Sequence, residues 1–402
     1  MSHDAIVIGA GPAGASAAIG LARQGRRVAL VERTAFPRRK VCGEYLSATA
    51  MPVLHAIGVA DAFRASAGPE VRRVAWYAGP QVALATMPES ANGFGRALGR
   101  DALDTLLLNA ARRQGVDVLQ PAKATELASD GSGHRVTITL EGGTRTLHAP
   151  VVIAAHGTWE PGALPTHLPK THAQSDFLGF KAHFNGGNLP ADVMTMLTFP
   201  GGYGGLVWAD GGRLSLSCCI NRRTLGTVRE RHGGTAAEAV LQHLIVSMDG
   251  LRDALGTAQT HGAWLAAGPI RPGLREVYAG DIFRAGNLAG EAHPIVAEGI
   301  AMAIQSGWLL ARELGGVDVT SLLARQQAGA RYRRGWRRQF SLRIRAAAAF
   351  AGVFTHPAAA VPLAALATRF PVLLSTGARF SGKTRALEVA AQTPDRQAIR
   401  AA

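Results

Sequence analysis

Residues 5–33 read AIVIGAGPAGASAAIGLARQGRRVALVER, and no other stretch constrains the fold so tightly. The apolar run over 5–8 predicts a short strand buried on both faces. Gly9, Gly11 and Gly14 follow as G-x-G-x-x-G, then a helix-forming segment to about residue 24 and a second strand over 27–31 that ends at Glu32. In this arrangement Gly9 permits the tight turn, Gly11 lets the backbone approach a pyrophosphate, and Gly14 lets helix and strand pack closely. The helix N-terminus offers free N–H groups and the positive end of its dipole to that pyrophosphate. Glu32 stands where a carboxylate accepts hydrogen bonds from a ribose. It disfavours a ribose phosphate, so the pattern points to FAD or NAD rather than NADP.

The 402 residues allow a large core and two joined domains. With 47% hydrophobic and 18% charged residues the chain is globular in composition. Three cysteines, two of them adjacent, form neither a disulfide framework nor a zinc spacing, so no metal site is expected and a reducing cytoplasm fits. The chain enters its first strand at once, without a signal-peptide pattern. The net charge of +15 suits phosphate-bearing cofactors, an anionic membrane or nucleic acid. Residues 346–367 carry no Lys, Arg, Asp or Glu, but they are mostly alanine and are broken by His356, Pro357 and Pro362, which argues against a membrane span.

Three further stretches extend the first anchor. FPRRKVCGEYLS, 36–47, sets three cations before Cys42 and Gly43, either as a solvated loop or as a lining for a diphosphate and ribityl chain. Arg100 precedes a helix predicted from about Asp101. A hairpin over 134–140 and 144–149 leads to a buried strand over 151–154 and on to His156-Gly157. GNLAGEAHPIVAEGI, from Gly286, follows a strand and opens a helix. Together with PGGYGGLVW, 200–208, these motifs resemble the FAD-dependent oxidoreductase superfamily of group A flavin monooxygenases and geranylgeranyl reductases. The resemblance spans roughly residues 4–315 and is nearest the geranylgeranyl reductase-like branch.

The resemblance implies that Gly14, Glu32, Arg33, Cys42, Gly43, Arg100 and Ala124 hold the adenosine and diphosphate parts of FAD. Asn287 would face the ribityl region, and Gly299 and Ile300 the pyrimidine side of the flavin. This chain departs from the family in three places. His156 stands for an aspartate, Asn287 for another, and Ala297 for a glycine.

Between 171 and 270 apolar and polar residues alternate as in antiparallel strands, over 177–184, 193–199, 205–209 and 213–220, with a helix over 236–246. This sheet would wall a substrate pocket. Tyr203 would reach flavin or substrate, or rest its ring on the sheet. His293 would lie over the flavin as an acid or base, or as pocket wall. Lys181 is a lone strand lysine without the tryptophan-rich motif of flavin halogenases, which argues against halogenation. In the tail, Trp336, Phe340 and Ile344 recur at helical spacing among the arginines of 331–345. That spacing buries one side of a helix, so packing is favoured over nucleic-acid binding. A C-terminal cap would shelter a greasy substrate or touch an anionic membrane.

The expected architecture is α/β (α+β overall). A discontinuous Rossmann-like FAD-binding domain (1–75, 95–170, 275–318) is interleaved with an antiparallel-sheet substrate domain (76–94, 171–274), and helices follow over 319–402. The expected function is an FAD-dependent oxidoreductase, first a monooxygenase using NAD(P)H as a transient donor and O2 on a hydrophobic small molecule. The alternatives are a geranylgeranyl reductase-like enzyme saturating lipid double bonds and, lower, a basic membrane- or RNA-binding protein with a relic FAD fold. The expected site is cytoplasmic, with a peripheral membrane contact as a further option.

Overall fold

The apolar run after the N-terminus forms a central strand, Ala5–Ile8, in a computed structural model. The structure describes residues 3–379, apart from 130, 132, 160 and 170, together with 386–389. The rest of the predicted C-terminal region lies outside the described residues. Ala5–Ile8 sits in a six-stranded sheet, between Val151–Ala154 and Val28–Val31, with Ile282–Arg284 and Asp117–Leu119 beyond them. Those five strands are parallel, and Tyr278–Ala279 closes one edge antiparallel. Every residue of the three central strands is buried, which is why they read as continuous apolar runs.

The fingerprint helix Pro12–Ala22 packs along the helix Gly299–Leu314. Their contact needs a residue without a side chain, since a Cβ at Gly307 would fall 2.0 Å from the Ala13 carbonyl oxygen. This packing fixes the N-termini of the two helices relative to each other, although their sequences lie almost 290 residues apart.

The second sheet has seven strands, in the order Gln259–Ile270, Phe177–Asn185, Arg213–Asn221, Gly202–Trp208, Val193–Phe199, Arg73–Ala78 and Gln81–Thr86. All pairs are antiparallel except Val193–Phe199 with Arg73–Ala78. A boundary at residue 75 therefore falls inside a strand, and the sheet takes that strand whole from Arg73. The pleat sorts the central strands by period two. Phe180, Ala182 and Phe184 join Leu214, Leu216, Cys218 and Ile220 under the helices Arg222–His232, Ala236–Ser247 and Asp249–Leu255. Lys181 and His183 therefore point to the other face with Ser215 and Cys219, toward the first sheet.

The hairpin His134–Leu140 and Gly143–Ala149 joins Ala122–Ser129 in a small third sheet. At the C-terminal end the 33-residue helix Leu322–Phe354 buries Trp336, Phe340 and Ile344 in the core of the first sheet, as their spacing predicts. The helix Pro357–Arg369 then lies on the edge of the second sheet, where Ala360, Ala364 and Ala367 cover Trp76. Val372–Ala378 follows, tied to the edge strand by a hydrogen bond from Ser375 Oγ to the Thr86 carbonyl, 2.8 Å. Among the described residues no single helix is long and apolar enough to cross a membrane.

Candidate functional site

A cavity of about 660 Å³ runs between the two sheets, from the glycine fingerprint to the C-terminal helices. Gly9, Gly11, Glu32, Arg33, Cys42, Gly43, Arg100, Ala124, Asn287, Gly299, Ile300 and Tyr203 all line it. The sequence-predicted site is thus brought together from six separate segments. Gly14 and His293 are not among the lining residues. Gly14 works one layer behind, because a Cβ there would stand 1.8 Å from the Gly9 carbonyl oxygen and push the helix off its strand.

At the fingerprint end the helix Pro12–Ala22 starts with Gly11 as N-cap, Pro12 as its first residue and no side-chain cap. Its first-turn N–H groups are free to meet an anion. Glu32 is buried and rigid, accepting hydrogen bonds from the Ala10 N–H (2.9 Å) and the Thr34 N–H (3.0 Å), with Arg38 at 3.5 Å. The Arg100 guanidinium is held by two 2.8 Å hydrogen bonds to the Asp104 carboxylate one helical turn on. Asp104 was legible only as an i,i+4 partner. It orients a cation whose Nη2 lies 3.7 Å from where a Gly11 Cβ would be.

The loop 42–44 is tied to the second sheet by a buried charge cluster. Lys181 Nζ donates to the Cys42 carbonyl (2.9 Å) and the Ser215 hydroxyl (2.9 Å), and lies 2.8 Å from Glu44 Oε2. His183 Nε2 lies 2.8 Å from the same oxygen. Burial works to raise the Glu44 carboxyl, but Lys181 and His183 outweigh it and hold the group far below the usual carboxylate range. Glu44 itself sits at φ 62°, a conformation that costs a side-chain-bearing residue energy. Lys181 is therefore a positioning group for the Cys42-Gly43 lining.

At the other end of the fingerprint, Gly299 and Ile300 open their helix toward the cavity, again without a side-chain cap at Glu298. Ala297, in the place of a glycine, keeps the left-handed conformation that position requires, φ 53° and ψ 37°. Asn287 lines the cavity, and its carbonyl accepts from Arg275 Nη1 at 2.9 Å. His156 also lines it, in contact with the Thr166 hydroxyl (2.9 Å) and with its ring centroid 4.4 Å from that of His167. Burial, then His167, push its pKa down to about 3, so the ring is neutral where an aspartate would carry charge. Arg38 and Lys40 line the same region, leaving it rich in positive charge.

Glu291 escaped the sequence reading. It lies inside the GNLAGEAHP motif, faces the cavity and is 4% exposed. Thr158 Oγ1 donates to its Oε2 at 3.2 Å, and Arg275 stands 3.6 Å away. Burial nevertheless lifts its pKa to about 7. The only signal in the sequence was an acid within an otherwise apolar, glycine-rich turn.

Tyr203 lies in the strand Gly202–Trp208, not in a loop before a strand from 205, because the flanking glycines pair in extended register with Cys218 and Ile220. Its phenol is buried beside the Cys219 thiol and stays protonated, since burial raises it well above its ordinary value. The His293 imidazole, expected as an acid or base or as pocket wall, packs against Tyr203 (4.7 Å between ring centroids) and Phe177 (5.6 Å). Burial lowers its pKa to about 4. The Cys219 thiol is likewise pushed up, to about 12. These groups form a neutral wall.

The arrangement fits FAD. Two uncapped helix N-termini, a locked Arg100, a buried Glu32 and the Cys42-Gly43 loop surround one elongated cavity with an uncharged inner wall. Comparison with known proteins agrees. The menaquinone reductase of Mycobacterium tuberculosis is 33% identical over 153 residues, 38% of this chain and 37% of that protein. The match thus spans just over a third of that relative. Digeranylgeranylglycerophospholipid reductase 2 of Methanopyrus kandleri is 28% identical over 323 residues, 76% of this chain and 75% of its own. Among solved structures, the myxobacterial chondrochloren halogenase CndH superposes with a TM-score of 0.71 at 22% identity, covering 84% of this chain and 80% of that one. PqsL, a probable FAD-dependent monooxygenase from Pseudomonas aeruginosa, gives 0.70 at 19% identity over 90% and 99%. These last two likenesses show a shared fold. The FAD binding domain family matches residues 2–333, and with a cavity built as above this chain belongs to that family of FAD-dependent oxidoreductases.

Proposed function

We propose that the protein hydroxylates a hydrophobic, chain-bearing small molecule with NAD(P)H and O2. The observation that carries this reading is the cavity itself. It passes the cofactor-binding glycines, then the neutral wall of Tyr203 and Cys219, and ends among Phe350, Phe354, Leu363 and Leu374. A chamber whose far end is lined by apolar side chains excludes water there and receives an apolar substrate.

FAD supplies the redox chemistry when bound, passing electrons from the nicotinamide donor toward O2 or substrate. The chain's own residues do the rest. Glu32 and Arg100 would hold the adenosine and diphosphate parts of the dinucleotide, and the N-terminus of Gly299–Leu314 would favour negative charge on the flavin. Tyr203 keeps its proton and presents a neutral donor. Glu291 faces the cavity with a pKa raised to about 7, so it can give or take a proton there at physiological pH. With a single dinucleotide fingerprint, the nicotinamide donor docks transiently.

A second reading, saturation of an isoprenoid or lipid double bond, is favoured by two observations. The relatives named above include a menaquinone reductase and a lipid reductase. Glu291 would also provide the proton that alkene reduction requires at the second carbon. The two are separated by reducing the flavin-loaded protein under argon with a long-chain alkylphenol or a polyprenylated quinone present. Hydroxylation predicts no product until air is admitted, then one O2 consumed per hydroxyl formed. Loss of an alkene in the sealed vessel, without O2, refutes hydroxylation and establishes the reductase. A protein that takes up no FAD refutes both.

A further inference from the structure

The far end of the cavity opens at the surface. Leu363, Leu366 and Leu373 line it and are also 37%, 44% and 49% exposed. The same three side chains therefore belong to the inner wall and to the outer surface. Beside them Phe370 and Val372, which do not line the cavity, stand 52% and 66% exposed. The mouth of a water-excluding chamber is thus rimmed by bare apolar side chains, an arrangement that water alone does not favour.

The segment that carries this rim is basic. Between residues 319 and 379 the sequence has ten arginines and neither Asp nor Glu. Arg325, Arg331, Arg333 and Arg337 pair with Asp281, Glu313 and Glu276, and Arg343 is buried, while Arg334, Arg338, Arg345, Arg369 and Arg379 are exposed. Arg369 sits immediately before Phe370, and Arg379 follows the last helix; both are exposed. On the helix Leu322–Phe354, residues Arg334, Arg338, Leu342, Arg345, Ala349 and Val353 recur every three or four positions and are all exposed, so cations and apolar groups share one stripe. The helix ends at Phe354, which lines the cavity. Together with Pro357–Arg369, which it meets at a bend of 102°, it forms an angled surface rather than a straight span.

We propose that this end of the molecule docks on an anionic lipid bilayer, with Phe370, Val372 and the leucine rim inserted into the headgroup–acyl boundary and the arginines against lipid phosphates. The mouth then opens into the hydrocarbon, and the substrate enters from the membrane without crossing water. The cation-and-apolar pairing selects a bilayer over a nucleic acid, because the exposed apolar groups of the rim are aliphatic apart from Phe370 and offer no stacking platform. The proposal rests on the reading of a hydrophobic substrate, but docking can be measured without turnover.

The test is co-sedimentation of the FAD-loaded full chain with vesicles of phosphatidylcholine alone, or with a third of the lipid replaced by phosphatidylglycerol. Binding is expected to the anionic vesicles and to weaken with salt. The F370D/V372D pair should reduce it at least about tenfold, and R338E/R345E by about the same factor. Both pairs should leave the flavin spectrum and melting temperature unchanged, since none of these side chains lines the cavity. Equal binding to neutral vesicles, or anionic binding unaffected by F370D/V372D in a flavin-loaded sample, overturns the proposal. So does a short RNA that displaces the anionic vesicles and binds the F370D/V372D protein as tightly as the wild type. Vesicle binding with no product from any hydrophobic substrate would defeat the functional reading and leave the docking surface standing.

Discussion

Replacing Lys181 by Met is expected to cost about 3 kcal/mol, at the low end of the range for breaking a buried ion pair. The substitution keeps the volume and removes one charge from a fully buried site. Glu44 keeps His183 at 2.8 Å but loses the ammonium at the same distance, and the Cys42 carbonyl and Ser215 hydroxyl lose their donor. For a protein of this length 3 kcal/mol corresponds to a melting shift of roughly 4 °C, extrapolated from the per-residue entropy of unfolding. Since loop 42–44 lines the cofactor cavity, FAD affinity should fall as well, by about tenfold if half the loss is expressed in the loop.

The pH dependence separates the ion pair from packing. Glu44 is held below its ordinary pKa of 4.5 in the folded state, so its contribution is fully present above 4.5 and is lost as pH falls through the lower folded value. K181M should therefore differ most from the wild type at neutral pH, and the gap should narrow below about pH 4.5. The double variant E44Q/K181M should recover part of the loss, because no buried charge remains. Thermal unfolding from about pH 2 to 8, a range that covers the window below 4.5, measures all three proteins. A gap under about 1 kcal/mol, or one that does not change with pH, refutes the account of Lys181 as the counter-charge that fixes this loop.

Further outcomes follow from the same geometry. Glu291 is raised to about 7, so the folded protein binds a proton there that the unfolded chain releases near 4.5, and stability should fall as pH rises between these values. E291Q should flatten that slope in denaturant titrations and remove an ionisation near 7 from the pH–rate profile. N287D should keep FAD bound, because the family carries a carboxylate there; a colourless N287D protein would show that residues 156 and 287 have been re-tuned together. A297G should stabilise the fold by roughly 0.5–1 kcal/mol, the left-handed strain relieved less the entropy gained by the unfolded chain. G14V should yield protein without flavin and with a large loss of stability, since even a Cβ collides with the Gly9 carbonyl.

The parts of this molecule that sequence displays are those governed by local periodicity and by backbone demands. Gly9, Gly11 and Gly14 announce the turn and the helix contact, and the alternation over 213–220 announces the strand that is found as Arg213–Asn221. The spacing of Trp336, Phe340 and Ile344 likewise gives the buried face of their helix. What stayed hidden depends on contacts between distant segments. Nothing near Glu44 in the chain reveals Lys181 and His183, 137 and 139 residues on. Glu291 is ordinary in the sequence, and only its burial, which outweighs the opposing pull of Arg275 and Thr158, brings its pKa near neutrality. The surroundings of His293 were hidden for the same reason, since Phe177 and Tyr203, from other strands, decide how the ring packs.

The chain order of the cavity wall bears on how the protein is made. The first parallel strand waits for Ile282–Arg284 to complete its sheet, the fingerprint helix waits for Gly299–Leu314, and the apolar mouth waits for Val372–Ala378. A ribosome has made the chain as far as Ala378 before the chamber can close. Until then Trp76 and the inner faces of both sheets are uncovered, so the emerging chain is at its most adhesive late in synthesis. Expression should accordingly be limited by the helices from Leu322 to Ala378 rather than by the fingerprint, and FAD supplied during synthesis should raise the yield of folded protein by capturing the two halves as they meet.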